Sequence, residues 1–122
     1  MMTWLAYTPA ALWSAVLLFM GGRSDHELPD VGFALDKLVH LAVYGALGAL
    51  VAFGWLRAGK RPVWFWPLVA ALLVGACDEV QQLRVPGRSA EAADFLADAA
   101  GVLLAFGGVV GWRSREGRRR SA

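Results

Sequence analysis

Polar side chains that can transfer protons or bind ligands recur at helical spacing in three short segments of the chain. In the first segment, residues 36–48, Asp36, His40 and Tyr44 are spaced four residues apart, with Lys37 beside the first of them. On a helix, this spacing places a carboxylate, an imidazole and a phenol on one face, over a length of about 12 Å. Such a row is suited to acid–base chemistry or to the binding of a polar ligand.

The second segment, residues 78–82, carries two adjacent carboxylates followed by two amides. Asp78 and Gln82 are four residues apart, and Glu79 and Gln82 are three apart, so the three side chains share one sector of a helix. Carboxylates in this arrangement can act as a general acid and base, or as oxygen ligands of a cation.

The third segment, residues 86–101, begins with a Pro-Gly turn signal. Arg88 follows the turn, and Asp94 and Asp98 are again four residues apart on the helix predicted after it. Asp94 has a structural interpretation as well as a functional one, because a carboxylate near a helix N-terminus is stabilised there and could pair with Arg88.

Structural alternatives exist for several of these residues, since Asp36 and Lys37 resemble interfacial charges and His40 could be a hydrogen-bonded bundle histidine. The candidate catalytic residues are His40, Asp78 and Glu79, in which the imidazole and one carboxylate form an acid–base pair. The candidate ligand-binding residues are Asp36, Lys37, Tyr44, Gln82, Arg88, Asp94 and Asp98. The pattern leaves an acid–base site, a cation site and a polar-ligand pocket open, and it identifies no metal or other cofactor.

The overall composition excludes most soluble classes of protein. The 122 residues are 57% hydrophobic and 18% charged, against about 45–50% and about 25% in ordinary soluble domains. A chain of this size could not bury the excess apolar surface in a globular core. A single cysteine also excludes an intramolecular disulfide framework. We therefore expect a membrane protein.

The positions of the charges predict where the chain crosses the membrane. Residues 1–22, 38–56, 62–77 and 99–112 contain no Asp, Glu, Lys or Arg. A spanning helix needs about 20 mostly apolar residues, so we predict spans at about 4–21, 36–56, 62–83 and 92–112. The predicted fold is an all-α, four-helix transmembrane bundle in one domain, followed by a basic tail at 113–122. The first span lacks the basic n-region and cleavage site of a signal peptide.

Basic residues predict the orientation of the bundle. Eight of them lie in the 57–61 loop and the tail, and four lie in the two loops on the other side. By the positive-inside rule, both termini are expected in the cytoplasm. The candidate site then lies at the outer face. An Arg-rich tail directly after a span is typical of a topology anchor, so we expect contact with membrane lipids and no nucleic-acid partner.

Three runs carry a family resemblance: D-K-L-V-H-L-A-V-Y-G-A-L-G at 36–48, D-E-V-Q-Q at 78–82, and P-G-R-S-A-E-A-A-D-F-L-A-D-A-A-G at 86–101. In this order and spacing they closely resemble the VanZ-like family of small bacterial membrane proteins. The resemblance covers roughly residues 30–112, and the first span fits the family layout. It implies a multi-pass protein of the bacterial cell membrane. The family takes its name from a member linked to low-level teicoplanin resistance.

Three hypotheses for function follow from the site and the resemblance. In the first hypothesis, the protein is an enzyme that acts on a lipid-linked or cell-envelope substrate, with Arg88 holding an anionic head group. Alternatively, it binds a lipid-linked envelope precursor or a glycopeptide without converting it. In the third hypothesis the ion pairs only fix helix packing, in a monomer, an oligomer or a complex with a partner protein. The residues alone do not decide whether the protein catalyses a reaction.

Overall fold

The computed structural model describes residues 3–22, 32–84 and 92–122, and within these ranges the chain is helical without strands. After a 3-10 helix at Thr3–Tyr7, the α-helices are α1 (Thr8–Gly21), α2 (Phe33–Arg57), α3 (Phe65–Gln82) and α4 (Ala92–Ser121). Each one coincides with a predicted apolar segment. Pro67 lies in the first turn of α3, where a missing backbone N–H costs no helical hydrogen bond.

The helices differ from the predicted spans at several ends, and most at the C-terminal end of α4. Helix α3 begins at Phe65, three residues after the predicted start of the third span at 62. Helix α4 does not end with the apolar segment at 112 but continues to Ser121, so the basic tail extends the same helix. The first residue of this extension, Arg113, lies 3.7 Å from the carboxylate of Glu116, and Arg120 lies 2.6 Å from it. Such pairs at helical spacing support an exposed helix.

Small residues allow α2 and α4 to pack backbone to backbone. A Cβ on Gly48 would lie 2.8 Å from the Cα of Val102, and one on Gly101 would lie 2.9 Å from the backbone nitrogen of Gly45. Side chains at either position would force the helices apart. Below this contact, the bundle core is formed by apolar residues that include Leu47, Val51, Leu68, Val102 and Phe106.

The N-terminal part of the chain, including α1, contacts α2 at two positions along its length. The indole Nε1 of Trp13 donates a 2.8 Å hydrogen bond to the backbone carbonyl of Val43. Near the chain start, the backbone of Ala6 and the ring of Tyr7 lie against Gly54. The Tyr7 hydroxyl donates to the carbonyl of Arg61 in the connection between α2 and α3. The C-terminal half of α2 therefore lies beside the N-terminal part of the chain, as in an up-and-down bundle.

Three of the helical segments are long and apolar enough to cross a membrane: Thr3–Gly21, Ala34–Arg57 and Ala92–Ser121. Helix α3 is not among them, because its last turns contain Asp78, Glu79 and two glutamines. Large apolar side chains are exposed on the outside of the bundle, including Leu12, Phe19, Leu73 and Leu104. This surface has the character expected of one that contacts lipid.

Candidate functional site

The polar residues predicted from the sequence converge at one end of the bundle. That end is formed by the N-terminal turns of α2 and α4 and by the C-terminal turns of α1 and α3. Among the described residues, four polar or charged side chains are classed as buried: Asp78, Gln82, Asp94 and Asp98. All four were predicted as site residues. The interior of the bundle is therefore polar at this end and apolar over the remainder of its core.

His40 of α2 connects to α4 through Asp98. The imidazole Nδ1 lies 2.7 Å from Oδ1 of Asp98, whose side chain is only 1% exposed. On its other side, Nε2 lies 3.9 Å from Oδ1 of Asp36. The ring also stacks on Tyr44 one turn later, with centroids 6.5 Å apart and planes within 7°. The imidazole is thus held in one orientation by a carboxylate, which is how proteins position a general base or a metal-binding histidine.

Tyr44 connects α2 to α3. Its hydroxyl donates a 2.9 Å hydrogen bond to Oδ2 of Asp78, and both side chains are buried. Gly21, the last residue of α1, closes over the same carboxylate, and a Cβ at this position would collide with Oδ1 of Asp78. The end of α1 can therefore cover Asp78 only because residue 21 has no side chain.

Lys37 forms an ion-pair group nearer the rim of the site. Its Nζ contacts the Asp94 carboxylate of α4 and lies 3.1 Å from Oδ2 of Asp36. Asp94 is buried, whereas the Asp36 side chain is 42% exposed. This pairing supplies a positive charge to Asp94 and joins the first turns of α2 and α4.

The remaining predicted residues have different outcomes. Glu79 is half-buried, and one of its carboxylate oxygens lies within 4.8 Å of a ring nitrogen of His40 and of a carboxylate oxygen of Asp98. Gln82 is 2% exposed, in the last turn of α3. Arg88 lies outside the described residues. The structure thus gathers Asp36, Lys37, His40, Tyr44, Asp78, Glu79, Gln82, Asp94 and Asp98 at one end of the bundle.

Buried carboxylate oxygens of Glu79 and Asp98 have no hydrogen-bond partner among the described residues, namely Oε1 of Glu79 and Oδ2 of Asp98. Buried polar atoms in folded proteins are nearly always paired, and an unpaired one is explained by a catalytic role or by a bound water or ion. Two sets of side chains in the site have the spacing for a metal ion, namely Asp36, His40 and Asp94, and His40, Glu79 and Asp98.

Three residues that the sequence did not predict also form this end of the bundle or support it. Gly21 covers Asp78, and Gln81 lies beneath Gly22 with its Oε1 buried. Trp13 fixes α1 against α2. Trp13 had one visible signal, because it lies near the middle of the first predicted span, whereas tryptophan is enriched at the ends of spans. The three-residue spacing from Asp78 could have drawn attention to Gln81. Nothing in the sequence marked Gly21.

A comparison with protein-family models gives a match over residues 3–113, to the family described as VanZ/LLP1. The chain belongs to the VanZ/LLP1 family. The match includes all four helices and every predicted site residue, and it ends where the basic extension of α4 begins. No curated protein and no solved structure matches the chain.

Family membership and the three apolar helices together identify the chain as a VanZ-family membrane protein. The resemblance read from the three polar runs is confirmed by this match. Those runs carry nine of the residues that the structure gathers at one end of the bundle, so the polar cluster lies within the family region of the chain.

Proposed function

We propose that this VanZ-family protein binds the polar head group of a lipid-linked cell-envelope ligand within the cluster formed by α2, α3 and α4. The ligand would place its charged or hydrogen-bonding group among His40, Glu79 and Asp98, and its apolar chain along the exposed surface of the helices. A glycopeptide with an acyl chain, such as teicoplanin, presents the same combination of chemistry.

The unpaired oxygens of Glu79 and Asp98 are the observation that carries this proposal. An ion-pair network that serves only packing is stable when each buried charge finds its partners, and leaving one unpaired costs about 1–3 kcal/mol or more. Lys37 and Asp94 fit the packing description, since each contacts the other. Glu79 and Asp98 do not, because they retain acceptor capacity that a ligand could use.

The proposed orientation has four spans, with both termini in the cytoplasm and the polar cluster at the outer face of the bacterial cell membrane. Support comes from the excess of basic residues in the 57–61 loop and in the tail. Helix α3 would serve as the fourth span with its carboxylates near the outer interface, where a charge costs less than at the bilayer centre.

The orientation can be tested with the single cysteine of the chain. Cys77 is exposed, so a Cys77→Ser background is needed before Ser121→Cys is introduced at the end of α4. A membrane-impermeant maleimide is expected to label residue 121 in permeabilised cells and not in intact cells. Labelling in intact cells would refute a cytoplasmic C-terminus.

A catalytic role is the second candidate, and the His40–Asp98 pair favours it. An imidazole oriented by a buried carboxylate, beside the further carboxylate of Glu79, is an arrangement that can accept and return a proton. In this scheme His40 and either Glu79 or Asp78 are the acid–base pair acting on the bound envelope lipid.

Binding and catalysis can be separated by native mass spectrometry of the purified protein with teicoplanin, whose amide and hydroxyl groups can donate hydrogen bonds to the two carboxylates. Retention of the unaltered ligand by the wild type and its loss in Asp98→Asn would support binding. A changed ligand mass that depends on His40 would support catalysis. Glu116→Gln, in the exposed extension of α4, is the matched control and should behave as wild type. Retention that is equal in the wild type and Asp98→Asn would refute the proposed site.

The packing hypothesis predicts a different result. If the cluster served only architecture, Glu79→Gln would lower the amount of protein in the membrane and its thermal stability together with any cellular phenotype. Loss of a teicoplanin phenotype at unchanged abundance and stability would exclude that hypothesis.

A further inference from the structure

Two sets of side chains at the polar end could hold a cation, and they share His40. One consists of Asp36, His40 and Asp94, and the other of His40, Glu79 and Asp98, with the ligand atoms of each set within 4.8 Å of one another. The first set already contacts a positive charge, because Lys37 pairs with both Asp36 and Asp94. A metal ion there would have to compete with the ammonium group of this lysine.

The second set differs in what its oxygens contact. Oδ2 of Asp98 and Oε1 of Glu79 are buried and have no hydrogen-bond partner in the described ranges. Oδ2 of Asp98 lies 3.7 Å from the position that a Cβ would take on Gly75, so it faces α3 one turn before Glu79. The almost fully buried carboxylate of Asp98 therefore points towards α3, the helix that carries Glu79.

We propose that His40, Glu79 and Asp98 bind one divalent transition-metal ion. One imidazole nitrogen and two carboxylate oxygens suit Zn²⁺, Mn²⁺ or Fe²⁺, whereas Mg²⁺ and Ca²⁺ prefer oxygen ligands alone. Among Mn²⁺, Fe²⁺ and Zn²⁺, the general affinity order predicts that Zn²⁺ binds most tightly. The two positive charges of the ion would balance the buried Asp98 carboxylate and the half-buried Glu79 carboxylate, which a neutral imidazole cannot do.

Three protein ligands would leave at least one coordination position open. That is the arrangement of metal sites that bind or activate a further molecule, in contrast to closed structural sites. The open position would accept an anionic oxygen, such as one from a phosphate-bearing head group. Metal binding itself does not depend on such a ligand, so it can be tested apart from the proposed function.

The test uses the full chain, purified in detergent with an affinity tag that contains no histidine. After treatment with a chelator and its removal, Zn²⁺, Mn²⁺ and Mg²⁺ are titrated separately by calorimetry, and bound metal is measured by elemental analysis. We expect about one equivalent of Zn²⁺ and no stoichiometric Mg²⁺. Changes to residues that only orient a metal ligand weaken metal sites by about 10–100-fold, so His40→Ala, Glu79→Gln and Asp98→Asn should each weaken Zn²⁺ binding by about 100-fold or more.

Two matched variants distinguish the proposed site from its competitors. Asp36→Asn removes a carboxylate of the other set that lies 3.9 Å from Nε2 of His40. If the site is His40, Glu79 and Asp98, this change should weaken Zn²⁺ binding by about 10-fold at most, less than the loss of a ligand does. His26→Gln removes the other histidine of the chain and should likewise leave binding intact. Loss of binding in Asp36→Asn would overturn the assignment in favour of the rim set, and loss in His26→Gln would show adventitious binding.

A stability measurement guards against variants that fail to fold. Zn²⁺ should raise the thermal unfolding midpoint of the wild type, because an ion that binds only the folded state stabilises it by mass action. Glu79→Gln is the least disruptive ligand variant, since Glu79 is only half-buried, and in it the rise should disappear while the metal-free midpoint is retained. The proposal is overturned if folded wild type binds no Zn²⁺, or if Glu79→Gln and Asp98→Asn retain wild-type affinity. Measuring teicoplanin retention on the chelated protein keeps this outcome separate from a failure of ligand binding.

Discussion

The substitution Gly101→Ala tests whether backbone contact between α2 and α4 sets the geometry of the polar site. A Cβ at this position would lie 2.9 Å from the nitrogen of Gly45 and 3.2 Å from the carbonyl carbon of Leu41, and closer still to the Leu41 oxygen. These are backbone atoms that cannot rotate away. To restore ordinary contact at about 3.4 Å with the Leu41 oxygen, the closest of these atoms, α4 must move by about 1 Å.

The displacement acts on the site because both helices carry site residues next to this contact. Leu41 follows His40, and Gly101 lies one turn after Asp98. A shift of about 1 Å can lengthen the 2.7 Å separation of His40 and Asp98 beyond the range of an ordinary hydrogen bond. Overpacking of this size costs about 1–3 kcal/mol.

Gly108→Ala is the matched control, because nothing lies within 4 Å of a Cβ at that position in the same helix. Both variants gain the same helix propensity, about 1 kcal/mol for Gly to Ala, so their difference isolates the packing cost. Unfolding in mixed micelles with increasing SDS, followed by fluorescence of the six tryptophans, should show Gly101→Ala less stable by about 1–3 kcal/mol. Equal stability of the two variants would refute the close-contact reasoning.

Three further substitutions test individual contacts by the same unfolding assay. Tyr44→Phe removes the hydroxyl that donates to buried Asp78 and should cost about 1–3 kcal/mol, whereas a neutral result would mean that the bond contributes nothing. Lys37→Met leaves the buried Asp94 carboxylate without this ion pair and should cost about 3 kcal/mol, most of which a second substitution, Asp94→Asn, should restore. Trp13→Phe removes one neutral hydrogen bond to a helix carbonyl, so a loss near about 1 kcal/mol is expected and one above about 3 kcal/mol would contradict that description.

The sequence predicted the helices well because long uncharged apolar segments indicate where the helices of a membrane protein lie. It predicted the site residues from spacing alone, and among the described residues they do gather at one end of the bundle. It could not predict the pairing within the site. The spacing placed three side chains of α2 on one face, yet each contacts a different partner. Asp36 pairs with Lys37, His40 with Asp98, and Tyr44 with Asp78. With 3.6 residues per turn, each four-residue step rotates by about 40°, so the row winds from α4 towards α3.

Glycine roles show a second limit of sequence reasoning. Glycine allows close helix packing, and Gly48 and Gly101 do so most clearly in this bundle. The Gly107-x-x-x-Gly111 sequence of α4 fits the small-xxx-small pattern, but no atom of the described residues lies within 4 Å of a Cβ on either glycine. A small-xxx-small pattern identifies a surface that can approach another helix, while the rotation of the helix in the bundle decides whether one is there.

The charges at the polar end divide into two sets with different physical requirements. At the rim, Lys37 offsets Asp94 directly, so this pair can be understood as a contact that joins α2 to α4. Deeper in the bundle, His40 faces the two carboxylates of Asp98 and Glu79, and one imidazole can offset at most one of them. An uncompensated buried charge is strongly destabilising, so a proton, a cation or a polar ligand at this inner set would stabilise the buried Asp98 carboxylate. Such a group would act at the inner set and not at the rim, and for that reason a substitution at Glu79 is more informative about function than one at Lys37.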